Sequence, residues 1–493
     1  MNKLMPASIA LALALALPFN VCAQTLTATP SDLQNLRQEV EAMRAAYEAR
    51  LQTLEQRLKA AEKAAEQAPA AKAPTNTGPA GLPSVAAPAS VGVAPAAPTA
   101  SPSASASASA SASPSQAGGA NAFNPAISLI LAGGYTRTSQ DPANYRITGV
   151  PLPVDNAPGP GSRGFSLAES ELNLSASIDP WLRGVATLAL GSDNSVAVEE
   201  AFVQTTSLNH GLTLKAGRFF SGIGYLNSKH AHTWDFADNP LAYQAFLGGQ
   251  FGDDGLQLKW LAPTDRYIEL GLELGRGRGF PGSDTGRNSA GMTALTAHTG
   301  GDIGDSQNWR AGVSRLFSKA GEQNVSALDA TGSLVSNAFS GNTRVWVVDG
   351  IWKWAPNGNG SRTNFKLQGE YLQSTRQGSL VYDVGNANLE DAYRAAQSGW
   401  YLQGVYQFMP RWRVGLRTER LNPGSPDFGI NAASLQGSDY RPKKNTLMLD
   451  YNPSEFSRVR LQFAQDRAQQ GVIDKQIFLQ YQMSLGAHGG HKY

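Results

Sequence analysis

Two histidines and an aspartate close together in the sequence, His230, His232 and Asp235, are the residues whose types and spacing best fit metal chemistry. They form the pattern His-x-His-x-x-Asp, which offers two imidazole nitrogens and a carboxylate oxygen, the donor types that suit Zn²⁺. The same segment carries Trp234 and Phe236. It therefore predicts either a zinc site or a polar loop that packs through its aromatic rings.

A second pair of histidines, His488 and His491, lies in the C-terminal sequence Gly-Ala-His-Gly-Gly-His-Lys-Tyr. Short tracts of this composition are typical of weak metal binding. The alternative is a tail that extends the preceding strand, with Tyr493 as its aromatic end. Apart from zinc at one of these two places, we expect no cofactor.

Catalytic chemistry finds little support in the rest of the sequence. The single cysteine, Cys22, lies in a predicted signal peptide, which excludes disulfides and thiolate chemistry from the mature chain. His210 and His298 have no evident Ser or Asp partner, and the glycines around Gly277 lack the Gly-Lys-Ser/Thr that completes a phosphate loop. With a formal net charge of +2 and no long basic run, we expect neither an enzyme nor a nucleic-acid partner.

The elements that must position these residues are short segments of alternating polarity. Leu270, Leu272 and Leu274, for example, alternate with Glu269 and Glu273, and a period of two is typical of β-strands. About 16 such segments occur, an even number typical of bacterial barrels, near Ala126, Phe165, Leu182, Val196, Leu212, Leu256, Ile268, Met292, Trp309, Val345, Phe365, Trp400, Trp412, Leu447, Val459 and Ile477. The predicted fold is all-β, a transmembrane antiparallel β-barrel over residues 123–493.

The connections between these segments predict two unlike ends. Tight connections are expected at residues 179–180, 263–265, 304–306, 356–360, 410–411 and 452–453. Long ones are expected at residues 141–164, 226–252, 277–290, 320–341, 376–398 and 422–440. In outer-membrane barrels the short turns face the periplasm and the long loops face outwards.

Tryptophan placement favours a membrane barrel over a water-soluble β-sandwich. The tryptophans that flank the short turns would form an aromatic girdle at the membrane interface: Trp181, Trp260, Trp309, Trp352, Trp354 and Trp412.

Strand parity also predicts which charges face the lumen. The expected pore-lining basic residues are Lys259, Arg310, Lys353, Lys366, Arg413, Arg417, Lys444 and Arg460. The expected pore-lining acidic residues are Glu171, Glu269, Glu273, Asp349, Glu370, Glu419, Asp450 and Asp466. Either these charges set the preference of a channel for ions, or they pair with one another and keep the interior wet.

Ahead of the barrel, three segments are predicted. Residues 1–23 have the basic start, apolar stretch and small-residue cleavage site of a signal peptide; lipidation at Cys22 is the alternative. Residues 24–67 carry apolar positions three and four apart, which predict a periplasmic α-helical coiled coil or, alternatively, one amphipathic helix. Residues 68–122, rich in Ala, Pro and Ser, predict a disordered linker.

Two stretches of the predicted barrel resemble a known family. Residues 214–219, Leu-Lys-Ala-Gly-Arg-Phe, are followed by a long loop and then by Gly-Leu-Gln-Leu at residues 255–258. This resembles the phosphate-selective O/P porins, and it implies a homo-oligomeric, trimeric porin in the outer membrane. Because both signs of charge line the predicted lumen, phosphate specificity is not expected to follow.

Three other stretches resemble a second group. Residues 165–172, 230–236 and 486–493 are similar to proteins labelled zinc-regulated TonB-dependent outer-membrane receptors. Energy-coupled receptors of that kind have a larger barrel, about 22 strands, filled by a globular plug. Here a coiled coil and a linker occupy the N-terminus, so the resemblance implies an association with zinc and not energised transport.

Three functions follow as hypotheses. The first is a porin-like channel for passive diffusion of small hydrophilic solutes or ions across the outer membrane. The second is a zinc-linked receptor or uptake channel. The third is a structural protein that tethers the outer membrane, through its periplasmic coiled coil, to peptidoglycan.

Overall fold

The computed structural model describes residues 125–486, except 155–157, 169, 207, 285 and 287. These residues belong to one compact unit, Ala100–Tyr493. The predicted signal peptide, coiled coil and linker, and the histidines His488 and His491, lie outside the described residues.

Strands make up most of the described chain. In order they are β1 (Ala126–Thr138), β2 (Leu152–Pro153), β3 (Gly164–Leu167), β4 (Ser170–Ser177), β5 (Leu182–Leu190), β6 (Val196–Thr205), β7 (Leu212–Phe220), β8 (Gly252–Leu261), β9 (Tyr267–Gly275), β10 (Met292–Ile303), β11 (Gln307–Leu328), β12 (Leu334–Trp354), β13 (Asn364–Tyr382), β14 (Leu389–Met409), β15 (Trp412–Asn422), β16 (Lys443–Ser454), β17 (Ser457–Arg467) and β18 (Asp474–Gly486). One α-helix, α1 (Leu241–Leu247), lies between β7 and β8.

Sixteen of the eighteen strands, all except β2 and β3, close into an antiparallel barrel. Each pairs with its neighbours in the chain, and β1 completes the ring because Leu129 is opposite both Leu172 of β4 and Leu485 of β18. Closure leaves no unpaired sheet edge. The predicted all-β barrel of about 16 strands is confirmed. Fifteen predicted segments correspond to strands of this ring, and the one near Phe165 lies in β3, directly before the ring strand β4.

The two faces of the barrel have opposite polarity. On β9, Leu270, Leu272 and Leu274 are 39–44% exposed, whereas Glu273 between them is 1% exposed. Successive side chains of a strand point to opposite faces, so the outer surface is apolar and the inner surface polar. A barrel that folds in water has the reverse arrangement.

Two of the predicted long loops are wrong. Most of residues 320–341 belongs to β11 and β12, and most of residues 376–398 to β13 and β14, so only residues 329–333 and 383–388 remain as turns. The strands continue because their inward side chains still have a core to join. Val325, Phe339 and Tyr393 are 0–2% exposed and pack together in it.

Residues 221–251, here called the inward loop, fold into the barrel. Ile223, Leu241, Phe246 and Phe251 of this loop are 0–3% exposed. They join a core that includes residues of three strands of the wall: Val345 and Val347 of β12, Leu372 of β13 and Tyr401 of β14. Burial of this apolar surface stabilises the loop inside the barrel. Within the described residues, no helix combines the length and apolar character needed to cross a membrane.

Candidate functional site

The two ends of the inward loop are tied to each other by one side chain. The amide nitrogen of Asn227 donates hydrogen bonds to the carbonyls of Ser221 (2.8 Å) and Phe251 (2.7 Å). Its amide oxygen accepts one from the backbone N–H of Phe251 (2.8 Å). Asn227 is 0% exposed, so these bonds replace water for the backbone at the base of the loop.

Carboxylates of the barrel wall bind the backbone of the inward loop. Glu273 accepts hydrogen bonds from the hydroxyl of Ser221 (2.5 Å) and the N–H of Gly222 (2.8 Å). Glu370 accepts from the N–H of Leu226 (2.9 Å) and the hydroxyl of Tyr243 (2.8 Å). Because carboxylates are strong acceptors, these bonds fix the height of the loop in the lumen.

The acidic residues of the loop, in turn, bind cations of the wall. Asp235 forms ion pairs with Lys366 (2.5 Å) and Arg413 (3.7 Å). Asp238 forms them with Arg417 (2.8 Å) and Lys444 (2.7 Å). Burial by itself would raise the pKa of Asp238, but the positive charges of Arg417 and Lys444 outweigh it and hold that pKa well below the usual range.

All sixteen charged residues predicted to line the lumen lie on the inward face, but their exposure divides them. Eleven are buried: Glu171, Glu273, Asp349, Glu370, Arg413, Arg417, Glu419, Lys444, Asp450, Arg460 and Asp466. The other five are half-buried: Lys259, Glu269, Arg310, Lys353 and Lys366. Many buried members hold the inward loop or pair with each other, as Arg460 does with Asp450 (2.8 Å).

Four of the five half-buried residues are basic, and with Lys229 of the inward loop they form what we call the basic wall: Lys229, Lys259, Arg310, Lys353 and Lys366. The ring of Tyr225 lies between two of them, 5.4 Å from the guanidinium of Arg310 and 5.7 Å from the ammonium of Lys229. Burial and the charges of the neighbouring cations together lower the pKa of Lys229 to about 8.

The two histidines of the inward loop meet carboxylates on another part of the wall. Nδ1 of His230 lies 3.3 Å from Glu171 and 3.2 Å from Glu199, and its Nε2 lies 2.9 Å from Glu200. Nδ1 of His232 lies 2.8 Å from Glu171. The two imidazole rings stack with centroids 5.7 Å apart. Burial would lower the pKa of His230, but the contacts with Glu199 and Glu200 and the charge of Glu171 raise it well above its ordinary value.

Asp235 is not part of this cluster. Among the described residues, the group of three whose donor atoms all lie within 4.8 Å of one another is Glu171, Glu199 and His230. The carboxylate of Asp235 instead accepts from Gln403 (3.1 Å) besides its ion pair with Lys366. The structure thus joins the two predicted histidines and separates them from the predicted aspartate.

No family model matches the chain. It is 31% identical over 397 residues to an uncharacterized protein of Aquifex aeolicus (strain VF5), covering 76% of this chain and 80% of that protein. The chain belongs to the family of that protein.

Several solved structures are similar to this chain at low identity. A loop L8 deletion mutant of OmpT, an outer membrane protein of Vibrio cholerae, is 11% identical, with 74% of this chain and 100% of that chain covered and a TM-score of 0.46. The anion-selective porin from Comamonas acidovorans is 12% identical, with 73% and 99% covered and a TM-score of 0.44. The outer membrane channel DcaP of Acinetobacter baumannii is 12% identical, with 73% and 97% covered and a TM-score of 0.43. Because all three TM-scores are below 0.5, the barrel topology rests on the strand pairings of this chain itself.

Strand parity in the sequence only partly reveals the site residues of this barrel. Alternation does not predict that the adjacent residues Glu199 and Glu200 both reach His230. In the structure, Thr187 of β5 pairs with Glu200 and Leu188 pairs with Val198, which leaves Glu199 as the extra residue of a β-bulge. A bulge re-aims side chains in this way. Two neighbouring glutamates in one strand were the only available signal, and Asp238 in the loop gave none.

Proposed function

We propose that this chain is an outer-membrane porin-like channel for passive diffusion of small hydrophilic solutes or ions. The observation that carries the proposal is the polarity of the closed barrel, apolar outside and charged inside. Large apolar side chains such as Leu416 (64% exposed) and Val348 (52% exposed) project from the outer face. Exposing such a surface to water costs roughly 25 cal/mol per Å², whereas lipid accepts it, and a closed barrel satisfies its backbone groups internally.

Aromatic residues at the ends of the strands support the membrane orientation. Trp181 (63% exposed) and Trp260 (37% exposed) flank short turns, and Trp309, Trp352 and Trp412 are half-buried beside other short turns. Amphipathic rings favour the interface between lipid and water. The short turns are therefore proposed to face the periplasm and the inward loop to enter from the outer end.

The solute path is proposed to follow the basic wall. There Lys259, Arg310, Lys353 and Lys366 remain half-exposed, whereas eleven of the other twelve charges predicted to line the lumen are buried. Of the sixteen charged residues predicted to line the lumen, five are half-buried and four of those are positive, and a lumen lined with one sign favours ions of the other sign. The channel is accordingly proposed to prefer anions weakly over cations of similar size.

A homotrimer in the outer membrane is proposed as the assembly, as the porin-like stretches of the sequence imply. Native mass measurement in detergent checks the subunit number. A zinc-linked channel is the second candidate function, and the meeting of His230 and His232 with Glu171 favours it.

Single-channel recording in planar lipid bilayers tests the channel proposal. We expect stable ohmic steps, and in a salt gradient a reversal potential that indicates anion preference. The double substitution Lys259→Gln/Lys353→Gln removes two charges of the basic wall and should shift the reversal potential towards cation preference. Arg362→Gln, which removes an exposed charge beside a short turn, is the matched control and should leave it unchanged. A folded protein that never conducts would overturn the proposal.

A further inference from the structure

Five side chains from three elements converge where the inward loop meets the wall at β4 and β6. They are Glu171 of β4, Glu199 and Glu200 of β6, and His230 and His232 of the inward loop. We propose that Glu171, Glu199, His230 and His232 bind a divalent transition-metal cation, with Zn²⁺ as the best-fitting ion. This ligand set differs from the His-x-His-x-x-Asp pattern because two glutamates of the wall replace Asp235.

The spacing of His230 from Glu171 and Glu199 fits three ligands of one tetrahedral ion. Ligand atoms bound at 2.0–2.1 Å to a tetrahedral zinc lie about 3.3 Å from one another. Nδ1 of His230 lies 3.3 Å from Oε2 of Glu171 and 3.2 Å from Oε2 of Glu199. Nδ1 of His232 is 2.8 Å from the other oxygen of Glu171, Oε1, and lies outside the group whose donor atoms are all within 4.8 Å of one another, so its ring must move closer to supply the fourth ligand.

Glu200 holds His230 in the orientation that metal binding needs. Oε2 of Glu200 lies 2.9 Å from Nε2 of His230, and Oε1 accepts a hydrogen bond from the N–H of Phe220 (3.1 Å). When Nε2–H donates to Glu200 and the metal displaces the proton of Nδ1, the lone pair of Nδ1 points at the ion between Glu171 and Glu199. Metal-binding histidines almost always donate their other ring nitrogen to a carboxylate or carbonyl in this manner.

The backbone that carries the histidines is fixed from the opposite side. The guanidinium of Arg458 donates to the carbonyl of His232 (2.9 Å), and that of Arg460 donates to the carbonyl of Trp234 (3.0 Å). The ring of Phe220 packs edge-on against His230, with centroids 5.3 Å apart. These contacts hold the ligands in place before an ion arrives, which lowers the entropy cost of binding.

The charges and donor types select the ion. Three carboxylates surround two imidazoles, so the cluster with neutral histidines carries a formal charge of −3 and a divalent cation offsets most of it. Two imidazole nitrogens with two carboxylates suit Zn²⁺ and neighbouring transition metals, whereas Mg²⁺ and Ca²⁺ prefer oxygen ligands throughout. A bound ion would join the inward loop to β4 and β6, away from the basic wall.

Isothermal titration calorimetry of the metal-free, detergent-folded full-length protein with Zn²⁺ tests the site, whether or not the barrel conducts. We expect one zinc per chain at this site. His230→Gln and Glu199→Gln should each weaken binding at least about tenfold. The half-buried Glu199 lies on the bulge, so its variant is expected to fold even where a change at Glu171 does not, and heat-modifiable migration on gels verifies folding.

Two controls make the assignment specific. His298 is also buried and lies between two carboxylates, 3.5 Å from Glu269 and 3.9 Å from Asp349, which makes it a matched histidine. Because it is not one of the proposed ligands, His298→Gln should leave zinc affinity unchanged. The double variant His488→Gln/His491→Gln removes the histidines of the C-terminal tail and should retain the site. Zinc binding that disappears in the tail variant but persists in His230→Gln, or a wild-type protein that binds no zinc, would overturn the proposal.

Discussion

Individual lumen charges position the inward loop more than they face water. Asp238 illustrates this, since it is held by Arg417, Lys444 and Gln462 from three different strands. Buried charges are tolerated only when they are paired and hydrogen-bonded. A change in the charge of such a residue is therefore expected to alter the loop before it alters the barrel.

Asp238→Asn keeps the shape of the side chain and removes its charge. Arg417 retains Glu419, and Lys444 retains Asp466, so the cost should be about 1–3 kcal/mol, less than for a fully orphaned buried charge. We expect a lower midpoint in guanidinium unfolding followed by tryptophan fluorescence, together with more frequent fluctuations in single-channel current. Asp284→Asn, which breaks an exposed pair with Arg276, is the control and should change neither quantity.

The lowered pKa of Asp238 gives a second prediction, which concerns how the stability of the protein depends on pH under acidic conditions. A carboxylate whose folded pKa is depressed contributes its full stability above its ordinary pKa and loses it progressively as the pH falls from that value through the lowered one. The stability difference between wild type and Asp238→Asn should therefore stay constant from about pH 7 to about pH 5 and shrink progressively as the pH falls below about 4. The same guanidinium titrations measure it. A difference that stays constant below about pH 4 would contradict the ion-pair geometry, because it would mean that folding does not lower the pKa of Asp238.

At the scale of elements, the sequence predicts structure that depends on neighbouring residues and misses structure that depends on contacts between distant residues. Alternation is a property of neighbouring residues, so it predicted the strands and offered the sixteen charged positions as candidates for the inward face. The path of the inward loop depends instead on contacts between residues far apart, such as the bond from Leu226 to Glu370, 144 positions away. The sequence analysis assigned residues 320–341 and 376–398 to loops because their composition is rich in turn-forming residues. In the structure they are the ends of two long hairpins, β11–β12 and β13–β14, which bury Val325 and Phe339.

The bulge in β6 is an element whose function can be tested by removing it. Deleting Glu199 should restore regular pairing of β5 and β6 and leave Glu200 opposite Thr187. The barrel should still fold, because regular pairing adds hydrogen bonds that the bulge interrupts. His230 would lose one carboxylate, so zinc affinity should fall about as far as in Glu199→Gln. The substitution Glu199→Ala, which keeps the extra backbone residue, separates loss of the bulge from loss of the carboxylate.

At the scale of the whole molecule, the apolar outer face can be explained only if lipid surrounds part of the barrel. Leu272 projects outward from β9, opposite Leu258 of β8 and Leu295 of β10. Leu328 is similarly exposed, at 43%, but lies at the end of β11, at the tip of the long β11–β12 hairpin. If the barrel spans a bilayer, these two leucines face different media.

Arginine at each position distinguishes the media. Leu272→Arg places a charge within the apolar band and should cost roughly 2–4 kcal/mol, whereas Leu328→Arg should cost close to nothing because the tip lies in water. Guanidinium titration of the barrel folded into lipid vesicles measures both values. Equal and small effects would mean that water surrounds both leucines, which would remove the membrane from the proposed function. A large effect at Leu272 alone would mean that lipid lies against β9, as a channel that spans the outer membrane requires.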